Sequence, residues 1–369
     1  MLLEGGAQAR YVSSGHLVYA RAGALLAVRF DLERLEVSGE PTVVLDGVRH
    51  PLAAQFHVTR DGTLAYIGSS ADGGRFRRLV WVDRLGREEP LALEPRNYFH
   101  PRISPDGTRV ATSVADQDLN IDVRVYDLER ATLVRRLTTF LGHDWSPSWT
   151  PDGARVFYVS DVDSGVLSWH AVDGTDEGRV VEAWRAPQSW SPDGALLTYI
   201  ETNSDTGRDI GVMSVADKSF RELFATEFTE DAPAVSPNGR FIAFSSTESD
   251  RGEVYVSPFP NVEENRWQIS RDGGVFPAWS PDGTELFFLN EGAMMVASID
   301  EEPSFAWDTP QVLFEGDHVT QGLFGRPYDV AADGQRFLML KRVDSFPSRD
   351  IHIVLNWHEE LKRLVPPDN

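Results

Sequence analysis

Cysteine is absent from these 369 residues, which excludes disulfides, thiol nucleophiles and thiolate metal sites and is compatible with either redox compartment. No apolar run approaches the roughly 18 residues that a membrane-crossing helix needs. The first residues, Met1-Leu2-Leu3-Glu4-Gly5, carry neither a basic segment nor an apolar stretch, so no signal peptide is visible. Positive charge is scarce: 35 Lys and Arg face 57 Asp and Glu, a net charge of −22. That balance argues against a nucleic-acid or anionic-membrane surface and favours solubility, cations or basic partners. Catalytic signatures are missing too. The chain has no Gly-rich nucleotide loop, no His-Arg-Asp, no Asp-Phe-Gly and no Gly-x-Ser-x-Gly elbow, and His358-Glu359 lacks the second His of a zinc helix. Neither a kinase nor a peptidase is therefore expected.

What the chain does have is a phrase that returns eight times. It reads Pro101-Arg102-Ile103-Ser104-Pro105-Asp106-Gly107, then recurs at Pro147 to Gly153, Ser189 to Gly194, Pro233 to Gly239 and Pro277 to Gly283. Weaker copies occupy Phe56 to Gly62, Tyr328 to Gly334 and Ala9 to Gly15. The turn-closing residues 61, 106, 152, 193, 238, 282 and 333 are 41 to 51 residues apart, a period that marks a repeat architecture. Pro presets φ, Asp tolerates the third turn position and Gly takes the positive φ that closes a hairpin. An apolar strand follows each turn, then a polar loop, an alternating third strand and a short fourth one. Four antiparallel strands per period make a propeller blade, so the expected fold is all-β, one domain over residues 1–369. Eight blades are expected, with seven as the alternative.

The ends suggest how such a ring closes. The last repeat supplies strands near Tyr328–Ala331, Phe337–Leu340 and Ile351–Leu355, and Asn356 and Glu359 are spaced as a capping box for a helix over 357–364. Leu2-Leu3-Glu4-Gly5 copies Leu313-Phe314-Glu315-Gly316, so the amino terminus is expected to complete the final blade and remove its open edge.

Alternation places the phrase's Pro and Trp positions between blades, with Trp149, Trp190 and Trp279 as core, and turns the intervening residues toward a central channel. Four residues before the turn-closing position these are Arg10, His57, Arg102, Ser148, Ser189, Ala234, Ala278 and Asp329. Two residues earlier come Gln8, Gln55, His100, Ser146, Pro187, Ala232, Phe276 and Pro327. The ionisable members thus cluster as Asp329, Arg10, His57, His100 and Arg102, against a wall of Ser and Ala.

Two readings of that cluster compete. In one, the charges pair, with Arg10–Asp329 as a structural clip and Arg102 facing an anionic ligand through bidentate hydrogen bonds. In the other, His57, His100 and Asp329 hold a divalent cation, calcium or zinc, with His143, Asp144, Glu230 and Asp231 on loops at the channel mouth. Such an ion would activate water against an ester, lactone, phosphoester or phosphotriester. Trp145, beside His143 and Asp144, is the candidate stacking residue at the rim. Asp161-x-Asp163-x-Gly165 looks like half a calcium loop but reads as an ordinary hairpin turn.

The tandem Trp-Ser-Pro-Asp-Gly units resemble TolB-like propeller repeats. Along the whole chain, Gly15 to Arg21, Phe30 to Val37 with Gly39-Glu40-Pro41, Leu79 to Arg84, Val256 to Pro260 and the terminal Val354-Leu355-Asn356-Trp357 are similar to one family. It is the carboxy-terminal sensor propeller of bacterial serine/threonine protein kinases, here without a kinase domain. The resemblance implies a sensing or protein-binding role in an extracytoplasmic setting. The channel residues make a small anionic molecule or a protein at the channel mouth the expected partner, and the chain is expected to be a monomer.

Overall fold

A computed structural model describes residues 7–21, 24–45, 56–59, 61–67, 76–116, 120–139, 142–162, 165–320, 322, 324–343 and 351–366. The fold is all-β, with eight sheets among the described residues, most of them four-stranded and antiparallel, in keeping with the eight repeats. The chain forms two compact units, residues 1–76 with 343–369, and residues 77–342.

In the first unit, β1 (Ala7–Val12), β2 (His16–Arg21), β3 (Ala24–Asp31) and β4 (Glu36–Leu45) form one meander. A second sheet pairs β5 (Phe56–Val58) with β6 (Leu64–Ile67), and β6 with β32 (Ile351–Val354). The helix α1 (Trp357–Leu364) buries Trp357 and Leu361 in a core with Val12, Val18, Leu25 and Leu64. The helix falls where the sequence placed it, but the capping box does not form. Asn356 adopts φ 55°, the left-handed region, and its side chain makes no cap hydrogen bond. A capping side chain reaches the first-turn N–H groups only from extended backbone.

The second unit contains six sheets. β7 (Arg77–Asp83) and β8 (Glu88–Pro90) come first in the chain. Four regular meanders follow: β9 (Asn97–Ile103) to β12 (Thr132–Arg136), β13 (Asp144–Trp149) to β16 (Glu177–Val181), β17 (Ala186–Trp190) to β20 (Phe220–Phe224), and β21 (Glu230–Val235) to β24 (Trp267–Gln268). The strands between them are β10 (Arg109–Ala115), β11 (Ile121–Asp127), β14 (Arg155–Ser160), β15 (Val166–Ala171), β18 (Leu196–Asn203), β19 (Gly207–Ser214), β22 (Phe241–Ser246) and β23 (Glu253–Pro258). The next sheet runs from β25 (Val275–Trp279) through β26 (Glu285–Asn290) and β27 (Ala293–Asp300) to β28 (Ala306–Trp307) and β29 (Gln311–Glu315), both paired with β27. The last joins β30 (Tyr328–Val330) and β31 (Arg336–Arg342) to β7 and β8.

The unit closes a ring on itself. Its inner strands touch in succession from β9 through β13, β17, β21, β25 and β30, and β30 returns to β9. The seam is the β31–β7 pairing, seven residues long from Arg336↔Asp83 to Arg342↔Arg77. This corrects the expected strand assignment: Ile351–Leu355 does not follow Phe337–Leu340 in its sheet, because β7 takes that place and β32 pairs with β6. The proposed closing segment Leu2–Glu4 lies outside the described residues.

The repeated phrase does the work its chemistry suggests. In the third copy Ser104 Oγ donates to Asp106 Oδ1 (2.5 Å) and accepts from Arg109 N (2.9 Å), and Gly107 closes the turn at φ 72°. Thr150/Asp152, Ser191/Asp193 and Ser280/Asp282 repeat the arrangement, and Asn238 substitutes in Ser236/Asn238. Hydroxyl hydrogen bonds hold the Asp106, Asp152 and Asp282 carboxyls below the usual range. Their folded pKa values lie below the unfolded ones, so this stabilisation is complete above a pH of about 4 and fades as pH falls below it. Asp106→Ala is expected to destabilise by about 1 kcal/mol, discounted for solvent exposure, at neutral pH and by less at pH 3, read by chemical denaturation.

Trp149 and Trp279 cross the gaps between sheets. Trp149 Nε1 donates to Arg102 O (2.9 Å) and Trp279 Nε1 to Ala234 O (3.0 Å), each from a buried ring. One feature breaks the simple alternation. His100, Ser146, Ala232 and Phe276 all have φ between 48° and 58°, each where the inner strand slips register. These are β-bulges at one repeat position, and a bulge re-aims the side chains beside it.

Candidate functional site

The inner strands of the 77–342 ring bring His100, Arg102, Ser146, Gln188 and Asp329 to its centre, where the connection from β29 to β30 comes over them. Arg102 is buried on β9, and its Nη1 donates to Pro101 O (2.7 Å), Arg326 O (3.0 Å) and Tyr328 O (3.4 Å). Phe324 O accepts from Ser146 Oγ and from Gln188 Nε2 (3.2 Å). Between them Gly325 has φ 152°, and a Cβ there would stand 3.2 Å from Arg102 Nη2 and 3.3 Å from His100 Cδ2. Only glycine lets this backbone lie so close to the ring centre.

Asp329 is held from two sides: Oδ1 accepts from Arg326 Nη2 (2.9 Å) and Oδ2 from Ile103 N (2.8 Å). Arg326 Nη1 also donates to Pro277 O (3.2 Å), which ties β25 to the same knot. A clip on Asp329 is made by Arg326, three residues away, a residue the sequence had not pointed to. Arg102 is anchored to carbonyls through Nη1. Burial, reinforced by the Arg326 charge, pushes the Arg102 guanidinium down to about 9. Among the described residues Arg102 has no carboxylate within ion-pair distance, while Arg326 has Asp329 at 2.9 Å. The centre thus holds two guanidinium groups against one carboxylate.

Aromatic rings surround this centre. Trp145 lies 5.5 Å from the Phe99 ring, 6.0 Å from His100 and 5.9 Å from His143. Trp184 meets Phe324 at 4.4 Å, and Arg77 stands 4.3 Å over Phe99, its pKa lowered by burial to about 10. Trp145 is half-buried.

The other candidates scatter. His143 Nδ1 lies 2.5 Å from Asp161 Oδ2. Asp144 is buried, its carboxyl pushed up by desolvation and hydrogen-bonded to Thr138 and Ser160. Glu230 and Asp231 start β21, and Asp231 pairs with Arg208 at 2.9 Å. Arg10 on β1 and His57 on β5 are exposed members of the other compact unit. Among the described residues no group of three or more His, Asp or Glu side chains is placed to hold a metal. Of the expected His57, His100, Asp329 set, the Asp329 carboxylate is occupied by a guanidinium and a backbone N–H. Sequence reasoning missed Phe324, Gly325 and Arg326. They lie just before the last phrase, and the one signal was Pro327 at the bulge position.

Comparisons agree with the geometry. A family profile described as PD40, the TolB beta propeller domain, matches residues 78–282, more than half of the chain. The chain belongs to the TolB β-propeller family. An uncharacterised protein of Agrobacterium fabrum is 26% identical over 246 residues, 63% of this chain and 80% of that protein. The solved structure of a putative TolB from Agrobacterium tumefaciens superposes with a TM-score of 0.58 at 18% identity, covering 73% of this chain and 99% of that one. TolB from Acinetobacter baumannii is similar with a TM-score of 0.47 at 12% identity, covering 91% of this chain and 79% of that one. The fold shared with the putative TolB of Agrobacterium tumefaciens is a β-propeller. No helix among the described residues is long and apolar enough to cross a membrane.

Proposed function

We propose that this TolB-like chain is a sensor or interaction module without catalytic activity, and that the centre of the 77–342 ring receives an anionic group of a small molecule. The supporting observation is the pair of guanidinium groups, Arg102 and Arg326, held against the single carboxylate of Asp329. Burying charge without a partner is costly, and in a chain of net charge −22 a central excess of cation favours an arriving carboxylate or phosphate. The surrounding aromatics, Trp145, Trp184 and Phe324, would cover the apolar part of such a ligand. The Phe324–Arg326 segment, fastened by Ser146, Gln188 and Arg102, is the covering element that a ligand would displace or join.

Small carboxylates and phosphates are expected to raise the melting temperature of the purified protein without being turned over. Asp329→Asn removes the competing carboxylate and is expected to tighten anion binding about tenfold, while Arg326→Ala weakens it about tenfold, roughly 1.4 kcal/mol each way. Calorimetric titration reads both. Anion affinities that ignore both substitutions would contradict the site, and ester or phosphoester hydrolysis that co-purifies with the protein would contradict the non-catalytic reading.

A further inference from the structure

A second polar place in the same ring is built differently from its own repeats. Fifteen residues after the turn glycines Gly107 and Gly194 come Asp122 and Asp209, both buried at the start of a third strand. Each has a second buried acid on the next inner strand, Asp144 and Glu230 respectively. At the first of these seams the charge is balanced: Arg124 and Arg136 reach Asp122 at 3.5 and 2.8 Å. They stand seventeen and twenty-nine residues after Gly107, and the same steps from Gly194 lead to Gly211 and Leu223. Elsewhere in the ring Glu253 has Arg251 at 2.7 Å and Glu201 has Arg185 at 3.1 Å. The Asp209–Glu230 seam thus lacks the two guanidinium groups that its counterpart carries.

Two guanidinium groups lie nearby, each paired with another carboxylate, although Arg208 Nε and Arg266 Nε are buried without a hydrogen-bond partner among the described residues and the Arg266 charge also acts on Glu230. Arg208 pairs with Asp231 at 2.9 Å, and Arg266 lies 3.1 Å from Glu248 beneath the Tyr255 ring. Four carboxylates thus share two guanidinium groups. Asp209 Oδ2 accepts from Thr206 Oγ (2.7 Å), and Glu230 Oε1 from Thr226 Oγ (2.6 Å) with Ser246 Oγ at 3.5 Å. The remaining oxygens, Asp209 Oδ1 and Glu230 Oε2, are buried with no hydrogen-bond partner among the described residues. The two residues are 3% and 0% exposed, so bulk solvent does not reach these oxygens. The Asp209 charge is also one of the influences that raise the Glu230 carboxyl.

We propose that Asp209 and Glu230 ligate a buried, oxygen-preferring divalent cation of the calcium class in the seam between the β17–β20 and β21–β24 sheets. Two carboxylates match its charge, and the Thr206, Thr226 and Ser246 hydroxyls are neutral hard donors of the kind such ions accept. The ion replaces the two guanidinium groups that fill the equivalent seam at Asp122. Its role is structural, joining two neighbouring sheets, and it is independent of the anion site at the ring centre.

The test is calcium titration of the chelator-treated full chain, followed by calorimetry and thermal melting. One calcium per chain is expected, with a rise in melting temperature. The Asp209→Asn, Glu230→Gln double variant is expected to lose at least tenfold in calcium affinity along with that rise, whereas Asp122→Asn retains both. Should the double variant fail to fold, the Asp209→Asn single variant gives the same reading. Failure of the wild type to bind calcium or magnesium would overturn the proposal, as would an unchanged calcium response in the variants.

Discussion

Arg102→Ala is expected to lower stability by about 3 kcal/mol, because it leaves the carbonyls of Pro101, Arg326 and Tyr328 short of a donor in a buried place. For a unit of this size that corresponds to a melting temperature lower by about 6–12 °C. Arg102→Lys is expected to recover less than half of the loss, since a single ammonium cannot reproduce the planar donor fork. The measurement is thermal unfolding followed by circular dichroism. A shift within about 1 °C would mean that Arg102 does not fasten the connection before β30 and that the ring centre is open.

The second large effect is expected at Trp149. Its buried indole fills the gap between β13 and β9 and donates to Arg102 O. Trp149→Ala removes a large ring from a packed seam and should cost about 4 kcal/mol, near the upper range of core truncations. Trp149→Phe keeps most of the area and loses the hydrogen bond, so it should cost about 1 kcal/mol. Chemical denaturation of the three proteins separates the two contributions. Equal losses for both variants would show that the hydrogen bond, and not packing, holds this seam.

The blade architecture was legible because its signals are local. Ser, Pro, Asp and Gly at fixed offsets dictate a turn whatever surrounds them, and the Ser104–Asp106 hydrogen bond shows how. The number of sheets followed from counting those turns. Strand partnership at the ends was not legible, since β7 and β32 have similar alternating apolar patterns and nothing in either names its neighbour. The structure gives β7 to β31 and β32 to β6.

The site was half legible for a related reason. Alternation sent His100, Arg102 and Asp329 toward the middle of the ring, yet it assumed straight strands. Bulges at His100 and Ser146 turn the neighbouring side chains, and a glycine in the preceding connection admits backbone where a ligand had been imagined. Arg326 was invisible because it belongs to no repeat position. The unbalanced acids Asp209 and Glu230 carry no motif either. They stand out only against Arg124 and Arg136 at the matching positions of another repeat.

Everything said of the ring centre depends on the closure of residues 77–342 by β31 and β7. The chain's lack of cysteine makes that closure directly measurable. Arg78 and Lys341 are opposite one another in the antiparallel register, a placement whose Cα separation of roughly 4.5–5.5 Å suits a disulfide. In the Arg78→Cys, Lys341→Cys variant, mild oxidation is expected to form an intramolecular disulfide, seen as faster migration of the non-reduced chain and as a linked peptide by mass spectrometry. A folded variant whose two thiols both remain reactive would contradict the closed ring.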